Sequence, residues 1–181
     1  MSIQSDDDRG LIIVYTGNGK GKTTAALGLA FRALGRGKRV FMVQFIKGAW
    51  VSGEIETAKR FAPQMEIVPM GKGFVPTPAA KSNPKHVEAV KQAWELGVQR
   101  AESGDYDVVI FDEINNALSY GMLDQEVVLG FLRSKPHRLH VVLTGRNAPA
   151  DLVELADLVT EMRDIKHPYQ QGIRAREGID F

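Results

Sequence analysis

The residues best suited to chemistry lie close together near the start of the chain. Positions 15–26 read YTGNGKGKTTAA, directly behind an apolar run and leading into a helical pattern. Gly17, Gly19 and Gly21 let a backbone turn sharply with its N–H groups facing inward, and the positive end of the following helix favours an anion there. The phosphate-loop pattern G-x-x-x-x-G-K-[S/T] is met at Gly21, Lys22 and Thr23, with Thr16 standing where the first glycine is usual. Lys22 then reaches phosphate oxygens, the Thr23 hydroxyl binds Mg²⁺, and Lys20 puts a second cation inside the loop. The stretch from Thr16 through Asn18 to Thr24 is expected to hold a nucleoside phosphate.

Such a loop usually finds its second Mg²⁺ contact on an acidic residue ending another strand. The segment DYDVVIFDEINNA at 105–117 offers Asp112 and Glu113. Carboxylates at the C-terminal end of a strand stand where ligands bind in open α/β sheets. Either acid can hold the metal, and the other can position a ribose hydroxyl or a water; an acidic pair can also simply cap the next helix. Arg146, in TGRN, is placed to reach phosphates and equally suits a solvated surface. These residues leave the reaction itself open.

Strands must position these groups, and runs rich in β-branched residues predict them at 11–16, 39–46, 65–69, 107–112, 139–144 and 157–162. The runs show little alternation, as expected for strands covered on both faces. Helical patterns fall between them, at 22–36, 53–61 and 84–103. The longest sets Val87, Val90, Trp94, Val98 and Ala101 on one face. Asp124 caps a further helix running to Arg133, and Asp151 lies in the first turn of a short one behind Pro149. The alternation predicts an α/β fold of the P-loop NTPase (RecA-like) kind, a doubly wound, mostly parallel sheet of about six strands. Residues 1–10 are polar and acidic and are expected to be a flexible lead-in to a single domain at 11–181. The segment 69–84 holds four of the eight prolines and no periodicity, the mark of a binding loop or a disordered one.

Composition narrows the classes. Lys plus Arg number 23 against 22 Asp plus Glu, a net charge of +1, which argues against a nucleic-acid partner held by bulk charge. The absence of cysteine excludes disulfides, thiolate metal sites and cysteine nucleophiles. No apolar run approaches the roughly 18 residues of a membrane span, and the N-terminus lacks the regions of a signal peptide. No membrane partner and a cytoplasmic location are expected.

Several further segments, in this order and spacing, resemble the P-loop type of ATP:corrinoid adenosyltransferase. They are the glycine loop, VQFIKG at 43–48, Gly73-Phe74, VVIFDE at 108–113, LTGR at 143–146 and the tail KHPYQQGIRAREGIDF at 166–181. The resemblance covers residues 10 to 181 and makes Thr16 the family's own form of the loop. It implies that ATP lies in the loop in reverse of the usual sense, with its 5′-carbon facing the corrinoid. Cobalt(I) attacks that carbon and triphosphate leaves, stabilised by Lys20, Lys22, Mg²⁺ and the loop N–H groups. Thr23 and Glu113 are the preferred metal contacts, and Phe74 flanks the corrinoid. An external flavin or flavoprotein supplies the electron that makes cobalt(I), and a homodimer is compatible.

The chain departs from that family in two places. The loop reads Gly73-Phe74-Val75-Pro76, with Pro76 where the family carries a tryptophan, and only about ten polar residues lead in. Trp50 is the candidate substitute wall, and His167 a candidate ligand contact. Two rival readings stand beside the transferase. One is a nucleotide-gated corrinoid carrier or sensor, favoured by Val75 and Pro76; the other is an ATPase acting on a macromolecule, favoured by the shared loop alone.

Overall fold

The structure is a computed structural model that describes residues 8–46, 52–71 and 83–180. Its six strands are β1 (Ile12–Thr16), β2 (Val40–Gln44), β3 (Met65–Pro69), β4 (Val108–Asp112), β5 (His140–Thr144) and β6 (Leu158–Glu161). They pair in the order β3-β2-β4-β5-β1-β6, and every pairing is parallel. The helices are α1 (Lys22–Leu34), α2 (Gly53–Arg60), α3 (Pro84–Glu102), α4 (Ile114–Ser119), α5 (Gln125–Ser134) and α6 (Ala150–Leu155).

Alternate residues along the central strands feed two separate cores, so both faces of the sheet are covered. Val40, Met42, Ile110 and Val142 join Ala26, Ala30 and Ala58 of α1 and α2 on one face. Phe41, Val43, Phe111 and Leu143 join Val90, Trp94 and Leu129 of α3 and α5 on the other. Each large apolar side chain buried in this way contributes roughly 1.5–3 kcal/mol. The predicted apolar face of α3 is the packed one. Trp94 lies 5.3 Å from the Phe111 ring, centroid to centroid, while Val87 and Val98 pack at its margin. Gly97 permits this approach, since a Cβ there would fall 2.3 Å from Phe111 Cε1.

The predicted cap holds at Asp124, whose carboxylate accepts from the Glu126 N–H at 2.9 Å, and Asp151 lies, as expected, in the first turn of α6 behind Pro149. Two expectations need correction. α1 stops at Leu34 rather than at residue 36, with Gly37 (φ 72°) the left-handed residue beyond it. β6 is not covered on both faces: all four of its residues are exposed, because it is an edge strand paired only with β1. Asp8, Arg9 and Gly10, the described part of the polar lead-in, bond to the body of the domain. Arg9 pairs with Asp157 at 2.9 Å, Asp8 pairs with Arg138, and the Gly10 N–H donates to His137 O. Among the described residues no helix is long and apolar enough to cross a membrane.

The order of the strands is what builds a site. The chain moves outward from β1 to β2 and β3, then returns so that β4 and β5 fill the gap. The turn after β1 and the acidic end of β4 therefore face each other across the C-terminal tip of β5. Beyond β6, residues 162–180 form a strap that carries a 3₁₀ turn, Pro168–Gln171.

Candidate nucleotide site

The glycine loop takes its shape from backbone demands. Gly17 (φ 97°) and Gly21 (φ 116°) are left-handed, where a side chain is strained. Gly17 and Gly19 also press against the strap. A Cβ would lie 2.4 Å from Met162 O at Gly17 and 2.6 Å from the Arg163 carbonyl at Gly19. The Gly19 N–H donates to Met162 O at 2.7 Å. Thr16 acts differently. Its hydroxyl accepts the Ala148 N–H at 3.1 Å, which ties the loop after β5 to the loop after β1. Lys22 is buried, and its Nζ donates across the loop to Gly19 O at 2.7 Å. Burial holds its ammonium below the ordinary lysine range; Glu113 and Asp112 oppose that shift, and Arg146 adds to it.

The structure gives the two acids different surroundings. Asp112 is fully buried. Its Oδ1 accepts from the hydroxyls of Thr23 (2.8 Å) and Thr144 (2.7 Å), and its Oδ2 from Gln44 Nε2 (3.3 Å). Glu113 instead lines the cleft. It has φ 67°, uncommon for a residue with a side chain. This turn breaks the line of β4, so that Asp112 stands behind Thr23 while Glu113 faces the cleft. Thr144 closes the arrangement: its hydroxyl donates to Asp112 and accepts the Glu113 N–H at 2.9 Å. Asn116 Nδ2 donates to the Glu113 carboxylate, and Asn116 Oδ1 accepts the Arg146 N–H at 2.6 Å. Glu113 occupies the N-cap position of α4, but its side chain makes no capping hydrogen bond and instead faces the cleft.

Between these groups lies a cleft of about 530 Å³, with Lys20, Lys22, Thr23 and Thr24 on one wall and Glu113 on another. Two further walls were not legible as site residues. α2 brings Glu54 and Thr57 to the cleft, and the strap brings Gly178, Ile179 and Asp180. The Glu54 carboxylate accepts from Gln44 Nε2 at 3.3 Å, so one buried amide holds both Glu54 and Asp112. Lys20 makes an ion pair with Asp180. The strap opens a second cavity of about 500 Å³ beside the first, lined in part by Lys20, Arg174, Arg176 and Asp180. His167 is half-buried, and its Nδ1 accepts the Tyr169 N–H at 3.2 Å, capping the 3₁₀ turn.

Phe74, Val75, Pro76 and Trp50 lie outside the described residues. The described residues that precede them, Ile46 and Gly71, lie two positions beyond the C-terminal ends of β2 and β3. Gly71 packs so closely that a Cβ would lie 2.3 Å from the Ile46 carbonyl carbon.

Comparison with known proteins agrees with this geometry. A sequence profile of the ATP:corrinoid adenosyltransferase BtuR/CobO/CobP family matches residues 8–181. A corrinoid adenosyltransferase of Sinorhizobium sp. is 46% identical over 177 residues, covering 97% of this chain and 82% of its own. That of Escherichia coli K12 is 40% identical over 178 residues, covering 98% and 89%. Among solved structures, the flagellar accessory protein FlaH of Methanocaldococcus jannaschii superposes with a TM-score of 0.54 at 14% identity, covering 84% of this chain and 71% of FlaH. A KaiC-like protein of Pyrococcus horikoshii gives 0.51 at 16%, covering 87% and 74%. At such low identity these two speak for the P-loop NTPase fold alone.

Proposed function

The chain belongs to the ATP:corrinoid adenosyltransferase family, and on that premise we propose how its cleft carries out the family's reaction. It is an enzyme that transfers the 5′-deoxyadenosyl group of ATP to a reduced corrinoid. The lone pair of cobalt(I) forms the bond to C5′, the C5′–O bond breaks, and its electron pair leaves with triphosphate. Cobalt is formally oxidised to cobalt(III), and no proton moves. A general base is therefore unnecessary, and catalysis reduces to alignment and stabilisation of the leaving group.

The observation that carries this reading is the cation arrangement around the cleft. Lys22 is desolvated inside the loop, where its charge interacts strongly with a polyanion. Lys20 stands at the boundary between the cleft and the strap cavity, which also offers Arg174 and Arg176. Four cations beside one cleft suit a departing triphosphate better than a single γ-phosphate. They also favour the reversed seating of ATP, with the phosphate tail toward the strap. Arg146, near enough to Lys22 to depress its pKa, is a further phosphate contact in this reading.

The donor set fits Mg²⁺, which prefers hard oxygen ligands and one or two carboxylates beside substrate phosphates. The Thr23 hydroxyl and the Glu113 carboxylate would hold the ion, with Asp112 behind Thr23 fixing its hydroxyl. Bound there, the ion would neutralise charge developing on the leaving triphosphate. Phe74 is assigned to the corrinoid face. A reduced flavin or flavoprotein is assigned to the electron, since the chain has no cysteine. We place the enzyme in the cytoplasm, acting on no nucleic acid.

Protein, MgATP and chemically reduced cobalamin, followed by visible spectroscopy, test the reading. A cobalt–carbon spectrum with stoichiometric triphosphate is expected. A perturbed corrinoid spectrum without product would indicate a carrier, and orthophosphate release without corrinoid dependence an ATPase.

A further inference from the structure

Behind Glu113 come two consecutive asparagines, Asn115 and Asn116, and before Arg146 comes Gly145. They meet across the tip of the sheet. Asn115 Nδ2 donates to Gly145 O at 3.3 Å, and Asn116 Oδ1 accepts the Arg146 N–H at 2.6 Å. That carbonyl and that N–H belong to one peptide group, so two neighbouring side chains of α4 grip it at both polar ends. The approach depends on Gly145, which has φ 130° and where a Cβ would lie 3.0 Å from Asn115 Cβ and Asn116 Oδ1. Asn147, with φ 54°, is left-handed too, so Arg146 stands on a turn of uncommon shape. The grip also leaves Asn115 Oδ1 buried with no partner among the described residues, an arrangement that costs stability.

Asn116 has a second partner. With Oδ1 turned to the Arg146 N–H, its Nδ2 faces the Glu113 carboxylate and donates to it. This inverts the usual start of a helix, in which the capping side chain accepts a helix N–H and the third helical residue accepts the N–H of the capping residue. Here the Thr144 hydroxyl accepts the Glu113 N–H, and the Glu113 side chain caps nothing. The third residue, Asn116, supplies a donor to the carboxylate instead. α4 thus forgoes a cap, and Glu113 keeps its left-handed backbone. Such conformations persist where their surroundings over-determine them, and they cluster at functional sites. We propose that Asn116 is a positioning residue that aims the Glu113 carboxylate into the cleft and fixes it in register with Arg146. The group assigned to the cation and a group assigned to phosphate then meet the ligand as one unit. The proposal rests on the Mg²⁺ reading of Glu113 and adds to it the residue that directs that carboxylate.

Mn²⁺ in place of Mg²⁺, followed by electron paramagnetic resonance, tests this without corrinoid or turnover. Its affinity for the protein–ATP complex is measured in the wild type, Asn116→Ala, Glu113→Gln and the two combined, with melting of the metal-free proteins alongside. Asn116 is half-buried, and alanine favours the helix it sits in; Asn116→Ser, which also lacks the amide, repeats the measurement in a second variant. Asn116→Ala and Asn116→Ser should each weaken Mn²⁺ binding by about tenfold or more, the scale for a group that orients a metal ligand. In the Glu113→Gln background the same substitution should change affinity by less than about twofold, because no carboxylate is left to aim. A lowered melting temperature with unchanged Mn²⁺ affinity would make the asparagine structural and overturn the proposal, as would an undiminished loss in the Glu113→Gln background. Wild-type affinity in Glu113→Gln itself would overturn the assignment of that carboxylate to the cation, and the positioning role with it.

Discussion

Two threonines donate to the same oxygen of Asp112, and the structure assigns them opposite consequences. Thr144 is fully buried; its hydroxyl donates to Asp112 at 2.7 Å and accepts the Glu113 N–H at 2.9 Å. Thr144→Val keeps the shape and removes both bonds. Losing a hydrogen bond to a carboxylate costs about 1.5–3 kcal/mol, and stranding an N–H about 1–3 kcal/mol more. The added methyl group returns roughly 0.8 kcal/mol, which leaves a net cost of about 3 kcal/mol. For a chain of this size that corresponds to a fall in Tm of about 6–12 °C. Thr23 is only partly buried and, among the described residues, its hydroxyl bonds to Asp112 alone, so Thr23→Val should cost about 1 kcal/mol in stability. Its oxygen is the one assigned to the cation, so activity should fall on the order of 100-fold, the scale for removing one group that stabilises charge in the transition state. Calorimetry and steady-state kinetics on both variants decide the matter. Thr144→Val melting within about 2 °C of wild type, or Thr23→Val losing more stability than activity, would refute this division of labour.

Three other perturbations have defined outcomes. His140 Nδ1 accepts the Leu11 N–H at 3.1 Å, and burial, with Lys135 and Lys38 nearby, holds the imidazole below its ordinary pKa. The unfolded chain takes up a proton as pH falls through about 6.5 while the folded one resists, so stability drops on acidification. His140→Asn, which keeps an acceptor, should flatten the dependence of the urea midpoint on pH between about 6.5 and 5; an unchanged slope would contradict this. Gly97→Ala drives a Cβ into the Phe111 ring and should lower stability by about 1–3 kcal/mol in urea titrations. Asp180 is paired with Lys20, which holds its carboxyl below the usual range. Asp180→Asn should tighten triphosphate binding severalfold at low salt and lose that advantage at high salt, measured by calorimetry.

Much of the fold was legible because parallel strands buried on both faces are continuous apolar runs; all six strands fall within two residues of their predicted bounds. β6 misleads for the same reason: LVTE looks apolar enough to be covered, and only the strand order reveals it as an edge. α4 escapes a reading by pattern because INNALS is too short to show a helical period. In the site, Lys22, Thr23 and Glu113 announce themselves through spacing along the chain. Gln44, Glu54 and Thr144 do not, since Gln44 meets Asp112 across 68 positions and Thr144 meets it across 32. Those contacts exist because β2 and β5 flank β4, which no local pattern encodes. Lys20 and Asp180 are 160 positions apart, and the glycines that let the strap lie on the loop read, along the chain, as serving phosphate alone.

The central claim is that the cleft stabilises triphosphate as it leaves carbon rather than phosphorus. ATP labelled with ¹⁸O at the bridging 5′-oxygen tests this directly, with the products analysed by mass spectrometry after turnover with cobalt(I) corrinoid. The label should depart entirely with triphosphate, leaving a cobalt–carbon adenosyl group free of it. Label retained on the adenosine moiety, with phosphate or diphosphate released, would place bond cleavage at phosphorus and contradict the account.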